Sequence, residues 1–247
     1  MGRENSSVID HYTRDNLMER IRAALKQAGH DPDHPTVEML SELDHLHGGG
    51  FTTTEVQVEL AEIPRGAHVL DAGCGIGGPS RYLAGHHDCI VEGIDLTPEY
   101  VETAGQLNKL TGLGSKISLQ VGSVTDLPYD NERFDAVLCQ NVTMNVADKE
   151  AMFKEAFRVL KPNGIYTFSH LAEGPNAPPI YPLPWAVSPD VSFLETPEKI
   201  FSTLSLAGFV DVEDRAGQAR SKPGGGPQPG TIGAAPAMGD DMPTRTG

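Results

Sequence analysis

At 247 residues the chain is long enough for one substantial hydrophobic core and requires no second full domain. Its formal charge of −15, from 34 acidic against 19 basic side chains, leaves no basic stripe to track a nucleic-acid backbone; an acidic surface chiefly serves solubility and also suits a cationic ligand. Cys74, Cys89 and Cys139 form no C-x-x-C pair, no apolar run approaches the ~20 residues of a membrane span, and the polar start Met1 to Asn5 is no secretory signal, so buried reduced thiols, a cytoplasmic location and no membrane partner are expected.

Leu17, Ile21, Ala24, Leu25 and Ala28 recur at helical spacing, and Gly29 stops that helix. A short helix over 37–43 follows, then the polar turn Asp44 to Gly50, then a helix over 51–60 with Thr52 to Thr54 as candidate caps. Residues 1–62 therefore read as a helical cap. From Ala67 onward, strands over 67–71, 89–95, 116–121, 134–140, 164–170 and 209–214 alternate with helices over 79–85, 98–110, 148–160 and 197–207. That alternation predicts an α/β fold over residues 63–216, with a doubly wound, mostly parallel sheet. Thr97-Pro98-Glu99 and Thr196-Pro197-Glu198 share one helix-start signal: a hydroxyl cap, proline in the first turn, then an acid at the positive helix end. Pro162 to Gly164 reads as the turn before the fifth strand. Gly174 to Pro189 holds six prolines with Tyr181 and Trp185, an irregular loop (174–190) on the expected substrate side. Residues 217–247 are glycine, proline, alanine and small polar residues, the composition of a disordered tail.

The chemistry concentrates in Val69 to Gly78, a buried strand that ends in an acid and enters a glycine turn before a helix. Glycines there let the backbone take positive φ and let a ligand approach the main chain, and the helix start presents unpaired N–H groups. Gly73-x-Gly75-x-x-Gly78 also fits the dinucleotide fingerprint, with Asp95 placed as a ribose-binding acid. Asp71 separates the readings. Its carboxylate would crowd a pyrophosphate, whereas S-adenosylmethionine brings an ammonium and a sulfonium and no phosphate.

The runs Val69 to Gly78, Gly93 to Leu96, Asp126 to Tyr129, Phe134 to Val137 and Leu160 to Gly164 together resemble the class I S-adenosylmethionine-dependent methyltransferases. The likeness covers about Val8 to Glu213 and leans to the small-molecule branch with sarcosine/dimethylglycine, phosphoethanolamine and tocopherol enzymes. The resemblance implies a Rossmann-like sheet and S-adenosylmethionine as cofactor. It implies that Asp71, Gly73, Gly75 and Gly77 line the methionine end, Asp95 the ribose and Leu96 the adenine. Where the family shows an acid for the adenine amino group this chain has Gly122-Ser123-Val124, so Ser123 and Val124 with their backbone take that place. Gln140 and Asn141 close the fourth strand, where they either face the methyl or cap the next element. The family also closes its sheet with a last antiparallel strand, and no strand-like run follows Phe209 to Glu213. Either the sixth strand pairs beside the fifth, or an open edge invites a partner such as a second copy in a homodimer.

On the substrate side, Asp44-His45-Leu46-His47 brings two imidazoles together without a further ligand, so no metal is expected. In the family-like reading that turn closes over the cofactor, with His45 or His47 reaching substrate and Tyr12 either covering the cofactor or simply packing. His170 ends the fifth strand at the carboxyl edge, as a base, a substrate-orienting group or a structural histidine. Tyr181 and Trp185 form an aromatic wall for an amine, or pack on the sheet. The reading is transfer of a methyl group to a small-molecule acceptor, most simply an amine nitrogen. Oxygen, sulfur or carbon acceptors, a non-catalytic cofactor-binding subunit and an NAD-dependent enzyme are its rivals.

Overall fold

Strand β1 (His68–Ala72) is buried at four consecutive residues, Val69 to Ala72, as a strand covered on both faces must be. It is the middle of a five-stranded, all-parallel sheet in the order β3-β2-β1-β4-β5, with β2 (Ile90–Asp95), β3 (Ile117–Val121), β4 (Phe134–Gln140) and β5 (Leu160–Ser169). This computed structural model describes residues 9, 11–12, 16–45, 50–174 and 178–215. The tail over 217–247, expected to be disordered, and His47 lie outside the described residues. No helix among the described residues is long and apolar enough to cross a membrane.

Side-chain alternation along the strands sorts the core into two layers. Leu70, Val137 and Cys139 face α6 (Lys149–Val159) and α7 (Pro197–Ala207), where Phe153, Ile200 and Leu204 complete the packing. Val69, Ala136 and Leu138 face α3 (Gly50–Leu60) and α4 (Gly78–His86), meeting Val58, Tyr82 and Leu83. A third cluster joins the N-terminal helices to the glycine turn and to the helix that follows β2. Leu17, Ile21 and Leu25, one stripe of α1 (Leu17–Gln27), pack with Leu40 of α2 (Val37–Asp44) on Ile76 and on Tyr100 and Leu107 of α5 (Pro98–Leu110). The cap thus shares a core with the glycine turn.

Four local readings change. The expected sixth strand at 209–214 is not a strand. Asp211 sits at φ 54, outside the extended range, and Phe209 instead caps α7, its N–H donating to Leu204 O, with its ring stacked on Tyr166 at 5.2 Å. Burying Phe209 on that aromatic margin wins over pairing a short Val-Asp-Val run, and Val210 is left 80% exposed. Strand β5 starts at Leu160, not 164: Leu160 pairs Phe134 and Ile165 pairs Ala136, so the Pro162 to Gly164 turn is a bulge within the strand, with Asn163 at φ 64. Helix α3 begins at Gly50, which puts Thr52 to Thr54 inside it rather than at its cap. Thr196 caps α7 by accepting from Lys199 N, whereas the Thr97 side chain makes no such bond at the start of α5.

Candidate functional site

The carboxyl ends of β1, β2 and β4 open on a cavity of about 220 Å³. The glycine turn after β1 forms its floor. Gly73 takes φ 84, and a Cβ there would lie 2.2 Å from Val142 Cγ2, so only glycine lets the turn sit against the segment after β4. Gly75 takes φ 52 with nothing within 4 Å of where a Cβ would stand, so its backbone is open to a ligand.

At the end of β2, Asp95 Oδ2 accepts the Gly75 N–H at 2.8 Å and Oδ1 accepts the Thr97 N–H at 2.9 Å. One carboxylate thereby ties the glycine turn to the next helix. Burial raises its pKa above the usual carboxylate value, opposed by those two N–H groups. Leu96, Tyr100, Ser123, Val124 and Thr125 continue the wall on this side. The opposite wall comes from the end of β4 and the residues just beyond it: Gln140, Asn141, Val142 and Asn145 to Asp148. Gln140 is locked by neighbours, its Nε2 donating to Gln57 Oε1 at 2.9 Å and its Oε1 accepting from Thr54 Oγ1 at 3.0 Å. Asn141 stands at φ 52, its N–H donating to Ser169 O. Tyr12 roofs the cavity: its hydroxyl accepts from Asn145 Nδ2 at 3.1 Å, and its ring meets Tyr100 edge-on at 6.2 Å.

Several residues singled out in the sequence stand elsewhere. Asp71 does not line the cavity. It is 1% exposed beneath the glycine turn, accepts from Ser80 Oγ at 2.6 Å, and is pushed up to about 6 by burial. Its short side chain is held by the helix that the turn introduces. Gly77 is the N-cap of α4 and likewise lies behind the lining. His45 is 5% exposed, with Nδ1 2.7 Å from Asp44 Oδ1 and its ring edge-on to Phe51; it is Asp44 that reaches the cavity. His170 packs on Phe168 at 5.0 Å, and burial lowers its pKa; it is not part of the lining. Trp185 Nε1 donates to Ser192 Oγ within its own loop, and neither it nor Tyr181 borders the cavity.

Arg81 was not anticipated. It is 0% exposed and donates to Asp44 Oδ2 at 2.8 Å, to Ile76 O at 2.6 Å and to Asn108 Oδ1 at 2.8 Å. A buried arginine so placed joins α2, the glycine turn, α4 and α5 around one charge. The only hint in the sequence is an arginine amid the apolar residues Tyr82 to Ala84 of a helix that is buried nearly throughout. Asn145 was missed for a different reason: its role is set by Tyr12, more than a hundred residues away in sequence.

The acceptable guest is a ligand that tolerates acids. Asp44, Asp95 and Asp148 line the cavity, and no lysine, arginine or histidine does so among the described residues. Open glycine backbone, a carboxylate at the end of β2 and apolar walls at Leu96, Tyr100 and Val124 fit S-adenosylmethionine, with its cationic amino-acid end, ribose diol and adenine.

Residues 70–168 match the family described as methyltransferase domain. The chain is 33% identical over 172 residues to phosphoethanolamine N-methyltransferase of Triticum aestivum, covering 69% of this chain and 34% of that protein. It is 35% identical over 112 residues to 24-methylenesterol C-methyltransferase 3 of Arabidopsis thaliana, covering 45% and 31%. Among solved structures, phosphoethanolamine N-methyltransferase 2 of Haemonchus contortus in complex with S-adenosyl-L-methionine superposes with a TM-score of 0.61 at 19% identity, covering 78% of this chain and 45% of that one. The chain thus spans about a third of the length of these curated relatives.

Proposed function

We propose, on the premise that this chain carries a class I S-adenosylmethionine-dependent methyltransferase domain, that it methylates a small-molecule acceptor at an amine nitrogen. The observation that carries the reading is the meeting of Gly73, Gly75 and Asp95 around one acid-lined cavity. When bound, S-adenosylmethionine supplies a methyl group on a sulfonium whose departure leaves a neutral thioether.

The chain's own groups divide the remaining work. Asp95, held open by the Gly75 and Thr97 N–H groups, receives the ribose hydroxyls, and the Gly73 to Gly75 backbone receives the methionine end. Leu96, Tyr100 and Val124 flank the adenine, with Ser123 at its polar edge. Tyr12, latched by Asn145, closes the cavity against water, which concentrates catalysis in alignment and desolvation. With His170 and His45 outside the lining, no imidazole base faces the acceptor among the described residues. A neutral tertiary amine needs none, because its lone pair is already free. Similarity to a C-methyltransferase favours carbon as the second reading.

Calorimetry with S-adenosylhomocysteine tests the cofactor half. Wild type binds, Asp95→Ala loses affinity about a hundredfold, and Asp71→Asn, behind the turn, loses less than about tenfold. Absence of binding by wild type, or full affinity in Asp95→Ala, sinks the reading. Mass-spectrometric detection of S-adenosylhomocysteine release from a panel of amines, phenols and sterols tests the acceptor half.

A further inference from the structure

We infer that the acceptor carries no anionic group: this chain selects a tertiary or secondary amine on an uncharged skeleton and turns away its phosphate ester. The inference rests on the methyltransferase reading above and concerns the wall from Asn141 to Asp148.

Among the described residues, Lys149, Arg81, His45 and His170 are committed elsewhere or stand off that wall. Lys149 is next to the cavity in sequence, yet it is 4% exposed and its ammonium donates to two carbonyls, Val146 O at 2.9 Å and Phe193 O. Arg81 is consumed by Asp44, Asn108 and Ile76 O. His45 is turned to Asp44, and His170 lies off the lining. The start of α6 is the helix end nearest the wall, and its Ala151 N–H is already taken by Asp148 Oδ1 at 2.9 Å. A phosphate there would meet the Asp148 carboxylate where it needs donors and positive charge.

The same wall offers an acceptor of hydrogen bonds. Asn145 lines the cavity, spends its Nδ2 on Tyr12, and leaves Oδ1 buried with no hydrogen-bond partner among the described residues. A buried carbonyl oxygen without a partner is costly, and a hydroxyl or N–H of the acceptor relieves it. Together with the Asp148 carboxylate in the same wall, this favours an amine or ammonium group over any anion. In the transfer step the amine lone pair forms the new N–C bond while the C–S bond breaks with its electrons passing to sulfur. A tertiary amine becomes quaternary with no proton to place, and a secondary amine releases one proton from the resulting ammonium to water.

The test titrates protein saturated with S-adenosylhomocysteine with 2-(dimethylamino)ethanol and, separately, with its phosphate ester, by calorimetry. The amine is expected to bind at least about tenfold tighter than the ester. Asn145→Leu should weaken the amine about tenfold more than it weakens S-adenosylhomocysteine. Tyr12→Phe breaks the latch but keeps Oδ1, and should change amine affinity less than about threefold. Asp148→Asn preserves the helix cap and should narrow the amine-to-ester gap. Equal or tighter binding of the ester overturns the inference, including through Arg14 or His47, which lie outside the described residues. Binding of neither probe by a protein that still binds S-adenosylhomocysteine also overturns it. Failure to bind S-adenosylhomocysteine at all instead strikes the underlying methyltransferase reading.

Discussion

The middle of the sheet and its β5 edge are stabilised by different physics. Around the glycine turn the charged groups are buried and bonded: Asp71 to Ser80, Asp44 to Arg81, Arg81 to Asn108, Asp95 to two backbone N–H groups. Along β5 the margin is a stack of rings, Tyr166 on Phe168 and on Phe209, with Phe157 edge-on to Phe209. Polar atoms go unpartnered in both places among the described residues: Asn108 Nδ2 beside Arg81 and Asn145 Oδ1 in the cavity wall, Ser169 Oγ, His170 Nδ1 and Glu195 Oε2 along the β5 margin. Directional bonds position atoms to a fraction of an ångström, whereas ring packing tolerates slippage. The cavity lies against the first kind of structure, which is what a group-transfer site needs.

The contrast predicts a steep gradient of mutational cost. Arg81→Met leaves Asp44 buried without its cation and should cost about 3–5 kcal/mol in urea unfolding, and adding Asp44→Asn should recover much of it. If the single variant unfolds like wild type, the network does not carry the region around the glycine turn.

Asp71 offers a pH signature. Its folded pKa of about 6 lies above the ordinary 3.8, so the folded state holds a proton that the unfolded state has released between those values. This contribution to stability is fully present below about pH 4 and is lost as pH rises through 6, by about 3 kcal/mol in total. Asp71→Asn removes the dependence, so its stability relative to wild type should climb between about pH 4 and 7. Parallel unfolding curves for the two proteins across that range would contradict the assignment.

Gly73→Ala meets Val142 and a φ of 84 at once, and should cost about 2 kcal/mol and most cofactor affinity, read by unfolding and calorimetry. Gly73→Ala with Val142→Ala relieves the clash alone and should return part of the stability. At the other margin, Phe209→Ala should cost only about 1–2 kcal/mol, and exposed Val210→Ser should stay within about 0.5 kcal/mol. Thermal shifts that rank Val210 beside Arg81 would erase the contrast.

The same division governs how much could be read without coordinates. The strand of Val69 to Ala72, the glycine turn and the placing of Asp95 are local patterns, and they emerge where their periods indicate. Arg81 and Asn145 escaped because their meaning lies in partners far along the chain, Asp44 at 37 residues for Arg81 and Tyr12 at 133 for Asn145. The false strand at 209–214 had the right alternation and lost to a tertiary contact, the Phe209 ring on Tyr166. Asp71 misled in a subtler way: its position after β1 was right, but the direction of its carboxylate was decided by Ser80, nine residues on.

Strand order also bears on how the chain comes together during synthesis. The order β3-β2-β1-β4-β5 grows outward from β1 in both directions, first toward β3 and only later toward β5. Until Phe134 to Gln140 leave the ribosome, β1 is an edge with one row of backbone groups unpaired, and the half-sheet ends in the acid and glycines destined for the ligand. Val142, the side chain against which Gly73 is fitted, arrives later still. The nascent half-sheet is therefore expected to be an adhesive species without a finished cavity; β4 seals its edge, and the residues after β4 complete the cavity wall.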